Sequence, residues 1–112
     1  MGRLILSGVF ALAAAGAVAA EKPTQFWNLT TQTVTSLRLS HAGSGEYGDN
    51  VALGDEDGVD HDERARIVGL PSGRYDLELQ FKGRVCFVRN MEIVTGKVFS
   101  VEDKDLTACR KK

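Results

Sequence analysis

The chain has 112 residues, a net charge of −1, and 43% apolar against 26% charged side chains. That length supplies one hydrophobic core and excludes two. The near-neutral balance lacks the electrostatic footprint of a nucleic-acid binder.

Residues 1–20 read as a secretory signal peptide. One cation, Arg3, precedes an apolar run from Leu4 to Val18 that ends in the small residues Ala17-Val18-Ala19-Ala20. The run is too short, and too rich in Ala and Gly, for a spanning helix of about 20 apolar residues. Cleavage is expected after Ala20, leaving residues 21–112 as one domain, periplasmic or secreted, with no integral membrane segment.

Past the signal, strand patterns dominate and helix patterns are almost absent. The first strand is predicted over Gln25–Leu29, with Phe26 and Trp27 as bulky β-formers. Asn28-Leu29-Thr30 matches a glycosylation sequon but reads as a turn in which Asn and Thr bond nearby backbone. A second strand is predicted over Val34–Ser40, with Leu37 and Leu39 on one face. Residues 41–58 form a long loop rich in Gly and Ser. Eight acidic residues and no Lys or Arg fall between Glu46 and Glu63, whereas eleven basic and six acidic residues follow from Arg64 onward.

Residues 62–68 alternate as a third strand, and Gly69-Leu70-Pro71-Ser72-Gly73 is a turn. Over 74–82 the alternation is cleanest: Tyr75, Leu77, Leu79 and Phe81 face one way, and Asp76, Glu78, Gln80 and Lys82 the other. Lys82-Gly83 turns the chain into a long strand over 84–94. There Val85, Phe87, Met91 and Ile93 are expected on one face and Cys86 and Val88 on the other, so both faces are apolar and the strand is central. Thr95-Gly96 leads to a strand over 97–102, and a last one covers 105–110. The whole reads as an all-β fold, a small antiparallel β-sandwich of six to seven strands. Cys86 and Cys109 are an even pair in an exported chain and are expected to form one disulfide, about 3 kcal/mol of stability in the chain-entropy model.

Gly69-Leu70-Pro71-Ser72-Gly73-Arg74-Tyr75-Asp76-Leu77-Glu78-Leu79 resembles the turn and strand of transthyretin-like and carboxypeptidase-regulatory-like β-sandwiches. The region after the signal also resembles a group of small exported bacterial domains of unknown function. The shared features are Asn28-Leu29-Thr30, Leu37 to Ser40, the Gly-rich stretch 43–54 with Tyr47, Gly73 to Leu77, and the two cysteines. The resemblance implies fold and export, and carries over no catalytic or ligand residue.

The acidic loop is the sharpest candidate site. Asp55, Glu56, Asp57, Asp60, Asp62 and Glu63 offer oxygens to Ca²⁺ or another hard cation. The EF-hand pattern fails: with Gly58 at its glycine position, the first and last ligands would be Leu53 and Arg64. His41 and His61 bracket the loop and, with Asp60 and Asp62, would suit a transition metal. Ser40, His41 and Asp62 lack an oxyanion hole and a nucleophile elbow, so an enzyme is not expected. Trp27 and Tyr47 read as packing residues, with carbohydrate stacking as the alternative. The leading expectation is a non-enzymatic exported module that binds a protein or cell-envelope partner through the loop bearing Tyr47, Asp49, Asp55 and Glu56. The alternative is a periplasmic divalent or trivalent cation-binding protein that uses the same loop.

Overall fold

The computed structural model describes residues 22–51 and 58–112. Among the described residues seven strands occur in chain order: β1 Thr24–Leu29, β2 Ser36–His41, β3 Arg64–Ile67, β4 Gly73–Phe81, β5 Arg84–Ile93, β6 Val98–Glu102 and β7 Thr107–Lys111. A short 3₁₀ helix, Asp103–Asp105, joins the last two. One sheet has the order β3-β1-β6 and the other β2-β4-β5-β7. The expected all-β sandwich is therefore present, with one difference in direction: β1 and β6 run parallel. The Thr95-Gly96 turn sends the chain to the opposite sheet instead of back along β5. Alternation within a strand carries no sign of that choice.

The core lies between the sheets. Phe26, Ile67, Phe99 and Val101 enter it from one side, and Leu37, Leu77, Leu79 and Phe81 from the other. Each fully buried side chain of this kind stabilises by about 1.5–3 kcal/mol. In β4 the period of two delivers Tyr75, Leu77, Leu79 and Phe81 to the core as its alternation predicts. In β5 it does not. Cys86 and Val88 face inward, then Met91 and Ile93, because the register slips between Tyr75 and Leu77 of β4 and Asn90 takes a left-handed backbone at φ 55°. The extra residue reverses the parity of the strand. Val85 and Phe87 are left on the outer face of the four-stranded sheet, against expectation.

Cys86 and Cys109 are disulfide-bonded. Cys86 is fully buried in the central strand, whereas every residue of β7 is exposed. The bond ties an edge strand with no core residues of its own to the middle of the sheet.

The β1–β2 turn is built on a buried amide. Asn28 Nδ2 donates to Val59 O (2.8 Å) and Gln32 O (2.9 Å), and Asn28 Oδ1 accepts from Thr30 N (2.9 Å) and Thr30 Oγ1 (2.6 Å). Asn28 and Leu29 of the sequon thus close β1 and Thr30 opens the turn, with the Asn28 amide enclosed in the core and bonding nearby backbone. Val34 and Val59 bridge across the gap between the sheets through paired backbone hydrogen bonds of 2.9 and 2.8 Å.

Candidate functional site

The sandwich has two ends. One gathers residues 22–24, the β3–β4 turn, His41 and the β5–β6 turn. The other gathers the β1–β2 turn, residues 59–63, the β4–β5 hairpin and the 3₁₀ helix. This division separates the candidate ligands. His41 pairs with Tyr75 across the β2–β4 ladder and stacks on its ring, centroids 5.1 Å apart. His61 lies at the other end, its Nδ1 2.7 Å from Thr30 O. The two histidines do not meet, and neither do Ser40 and Asp62: Ser40 Oγ bonds Ser44 Oγ (2.8 Å) beside His41.

Asp60, Asp62 and Glu63, at the end of the acidic run, are engaged singly. Asp60 Oδ1 accepts from Thr33 Oγ1 (2.7 Å), Asp62 Oδ1 from the Trp27 indole (3.0 Å), and Glu63 Oε1 from the Asp60 amide (2.9 Å). Among the described residues no three His, Cys, Asp or Glu side chains come together as a metal site would need. Asp55, Glu56 and Asp57 lie outside the described residues. The stretch before them covers the edge of β2: Gly48 N donates to Leu39 O (3.0 Å), Val51 N to Leu37 O (2.8 Å), and Asn50 Oδ1 accepts from Leu37 N (2.9 Å). A strand edge left bare invites pairing with another chain, and this stretch occupies it.

Asp49 is exposed there, while Tyr47 folds over the outer face of the four-stranded sheet. Its ring lies 6.1 Å from that of Phe87, and its hydroxyl accepts from Arg89 (3.3 Å). The guanidinium groups of Arg89 and Arg110 sit 4.9 and 5.3 Å from the Phe87 ring. Burial pushes the Tyr47 phenol above its usual range, against the pull of Arg89. Beneath them Asp76 is buried, accepting from the Asn90 amide (2.9 Å) and the Gly43 amide (3.1 Å), with Arg89 3.9 Å away. Those two backbone donors, with help from Arg89, hold its carboxyl below the usual range in spite of burial. Asp76 is a structural anchor that joins the start of the loop to the bulge of β5.

At the His41 end an open cleft of about 610 Å³ is lined by residues that include Lys22, Thr24, Arg66, Val68, Leu70 and Pro71. Its volume falls in the range of roughly 300–1,000 Å³ typical of ligand sites. No acidic residue among the described residues lines it. The exposed large apolar side chains of the described residues, Val68, Val94 and Val98, all belong to strand ends or turns at this end. In the sequence the turn 69–73 was legible. The cleft was not, because it needs the start of β1 and residue 95 beside that turn.

The outer face of the three-stranded sheet runs on from this cleft through Arg66. Gln25 and Trp27 occupy its central strand, flanked by Arg66 and Arg64 of β3 and by Val98 and Ser100 of β6. The Arg64 guanidinium lies over the indole, 4.3 Å from the ring centroid.

No family model, no curated protein and no solved structure matches the chain. Fold and site together define a small disulfide-clipped β-sandwich with a cleft at one end. The disulfide is compatible with an extracellular location, and among the described residues no helix is long and apolar enough to cross a membrane.

Proposed function

We propose that this chain is an exported, non-enzymatic binding module of the periplasm or cell exterior that engages a cell-envelope partner. The signal-like residues 1–20 and the disulfide support export. The observation that carries the binding reading is the cleft of about 610 Å³ with Val68 on its wall, 75% exposed, at the end of the sandwich where Val94 and Val98 are also exposed. Exposed apolar side chains gathered at one place mark contact surfaces, whereas scattered ones need no explanation. The described part of the acidic loop is committed to the β2 edge and to Phe87, so the cleft takes precedence over Tyr47 and Asp49 as the contact surface.

Sedimentation of the purified mature domain with isolated envelopes tests this reading. The parent protein should pellet with them, and Val68→Asp should remain in the supernatant with an unchanged melting curve. Equal pelleting of the two proteins would remove the cleft from the reading. Failure of the parent to pellet would remove the envelope partner.

A further inference from the structure

The outer face of the three-stranded sheet has a chemistry that the cleft does not explain. Along β1, Thr24, Phe26 and Asn28 turn inward, which sets Gln25, Trp27 and Leu29 on the outside, half-buried. A tryptophan in the middle of a solvent-facing sheet surface is an expensive residue to leave wet, and here its position is fixed. Its Nε1 donates to Asp62 Oδ1 at 3.0 Å. Asp62 is itself held by its own amide to Asn28 O, 2.6 Å, in a left-handed backbone at φ 68°. Non-glycine residues adopt that conformation only where the surroundings hold it. The indole is therefore oriented before any ligand arrives, which lowers the cost of binding.

One side of the ring belongs to Arg64. Across the other ladder the neighbour is Ser100, whose side chain is too short to cover an indole. Two residues along β3, about 7 Å away at strand spacing, Arg66 projects from the same face beside Gln25. The ion pairs among the described residues are Arg38–Glu78 and Arg89–Asp76, so neither Arg64 nor Arg66 has a carboxylate partner there. A guanidinium fork matches a carboxylate or sulfate through two parallel hydrogen bonds.

We propose that this face is a platform for an acidic carbohydrate. Trp27 stacks on the C–H face of one sugar ring, and Arg64 and Arg66 hold the carboxylate or sulfate groups along the chain. This rests on the envelope-binding reading and supplies the chemical class of the partner. A protein partner would ask for a larger apolar centre than one indole and Val98. A single strand of nucleic acid would stack on the same ring, but it also requires a positively charged groove along its backbone, whereas Arg64 and Arg66 form a single short row along β3.

Trp27 is the sole tryptophan, so its fluorescence reports on this face alone. The probe is an oligogalacturonate, with a neutral malto-oligosaccharide of equal length and a single-stranded oligonucleotide of equal charge as comparisons. The acidic oligosaccharide should change the emission saturably at about millimolar concentration. The neutral one should bind at least about tenfold more weakly. Arg66→Gln, on an exposed short strand, should weaken the acidic oligosaccharide by about fivefold or more with an unchanged melting curve. No response at about 10 mM oligogalacturonate, an equal response to the neutral sugar, or tighter binding of the oligonucleotide would each overturn the inference. If the parent still pellets with envelopes in those cases, only the ligand class falls. If it does not, the envelope reading falls with it.

Discussion

Replacing Asp76 by Asn keeps the shape of the side chain and removes its charge. The carboxylate now accepts from two backbone amides, Asn90 at 2.9 Å and Gly43 at 3.1 Å. An Asn amide offers one acceptor oxygen and turns an NH₂ group toward the other donor. One charge-assisted bond is lost, another becomes neutral, and a donor is left unpaired. With about 1.5–3 kcal/mol for each bond to a charged group, Asp76→Asn should cost about 2–4 kcal/mol. For a domain of this size that lowers the melting temperature by on the order of 10–20 °C. The carboxyl of Asp76 is held below its ordinary range in the folded state, so its stabilisation is complete above the unfolded pKa of about 3.9 and is lost as pH falls through the lower folded value. Urea unfolding should therefore separate the two proteins fully at pH 7 and progressively less below about pH 4. Hydrogen exchange should show lost protection at the Gly43 and Asn90 amides in particular. A difference under about 0.5 kcal/mol at pH 7, or one that does not change on acidification, would refute this account of Asp76.

Reduction of the Cys86–Cys109 bond, which closes a separation of 23 residues, should cost about 3 kcal/mol and release β7, so that trypsin cuts after Lys104 and frees the segment that begins at Asp105 when cleavage is followed by mass spectrometry. Gly58 sits at φ +107°, where a Cβ would overlap the Val34 carbonyl oxygen, and Gly58→Ala should lose more than about 2 kcal/mol in urea unfolding. Gly69 at φ +73° has open space around it, so Gly69→Ala should cost only the backbone term of about 1–2 kcal/mol. Ca²⁺ at millimolar concentration should leave the melting temperature unchanged; a rise of several degrees in calorimetry would favour cation binding by Asp55, Asp57 and their neighbours instead.

Sheet content, turns and the disulfide were legible because each leaves a local mark. Period-two burial in 75–81, the Pro-Ser-Gly turn and the paired cysteines need no knowledge of the rest of the chain. The faces of β5 were not legible. Val85 and Phe87 look as apolar as Cys86 and Val88, and the bulge at Asn90 that decides between them depends on Asp76 capturing the Asn90 amide from the neighbouring strand. The surface around Trp27 was half legible. Alternation in 64–67 already sets Arg64 and Arg66 on one side of β3, but the chain does not announce that β3 lies beside β1. The two histidines bracket one loop in sequence yet belong to opposite ends of the sandwich, since β2 carries His41 to the far end of its ladder with β4.

The lateral partnership of β1 with β6 has a consequence for how the molecule is made. A polypeptide emerging amino end first from a ribosome or a translocation pore presents residues 24–29 long before 98–102, with which they share a ladder. One edge of that earliest strand can pair with β3, but the other must wait until almost the last strand has appeared. Pairings of such wide separation close slowly, on the millisecond-to-second scale. Assembly of that sheet is thus a late event, completed only after nearly the whole polypeptide has cleared its exit.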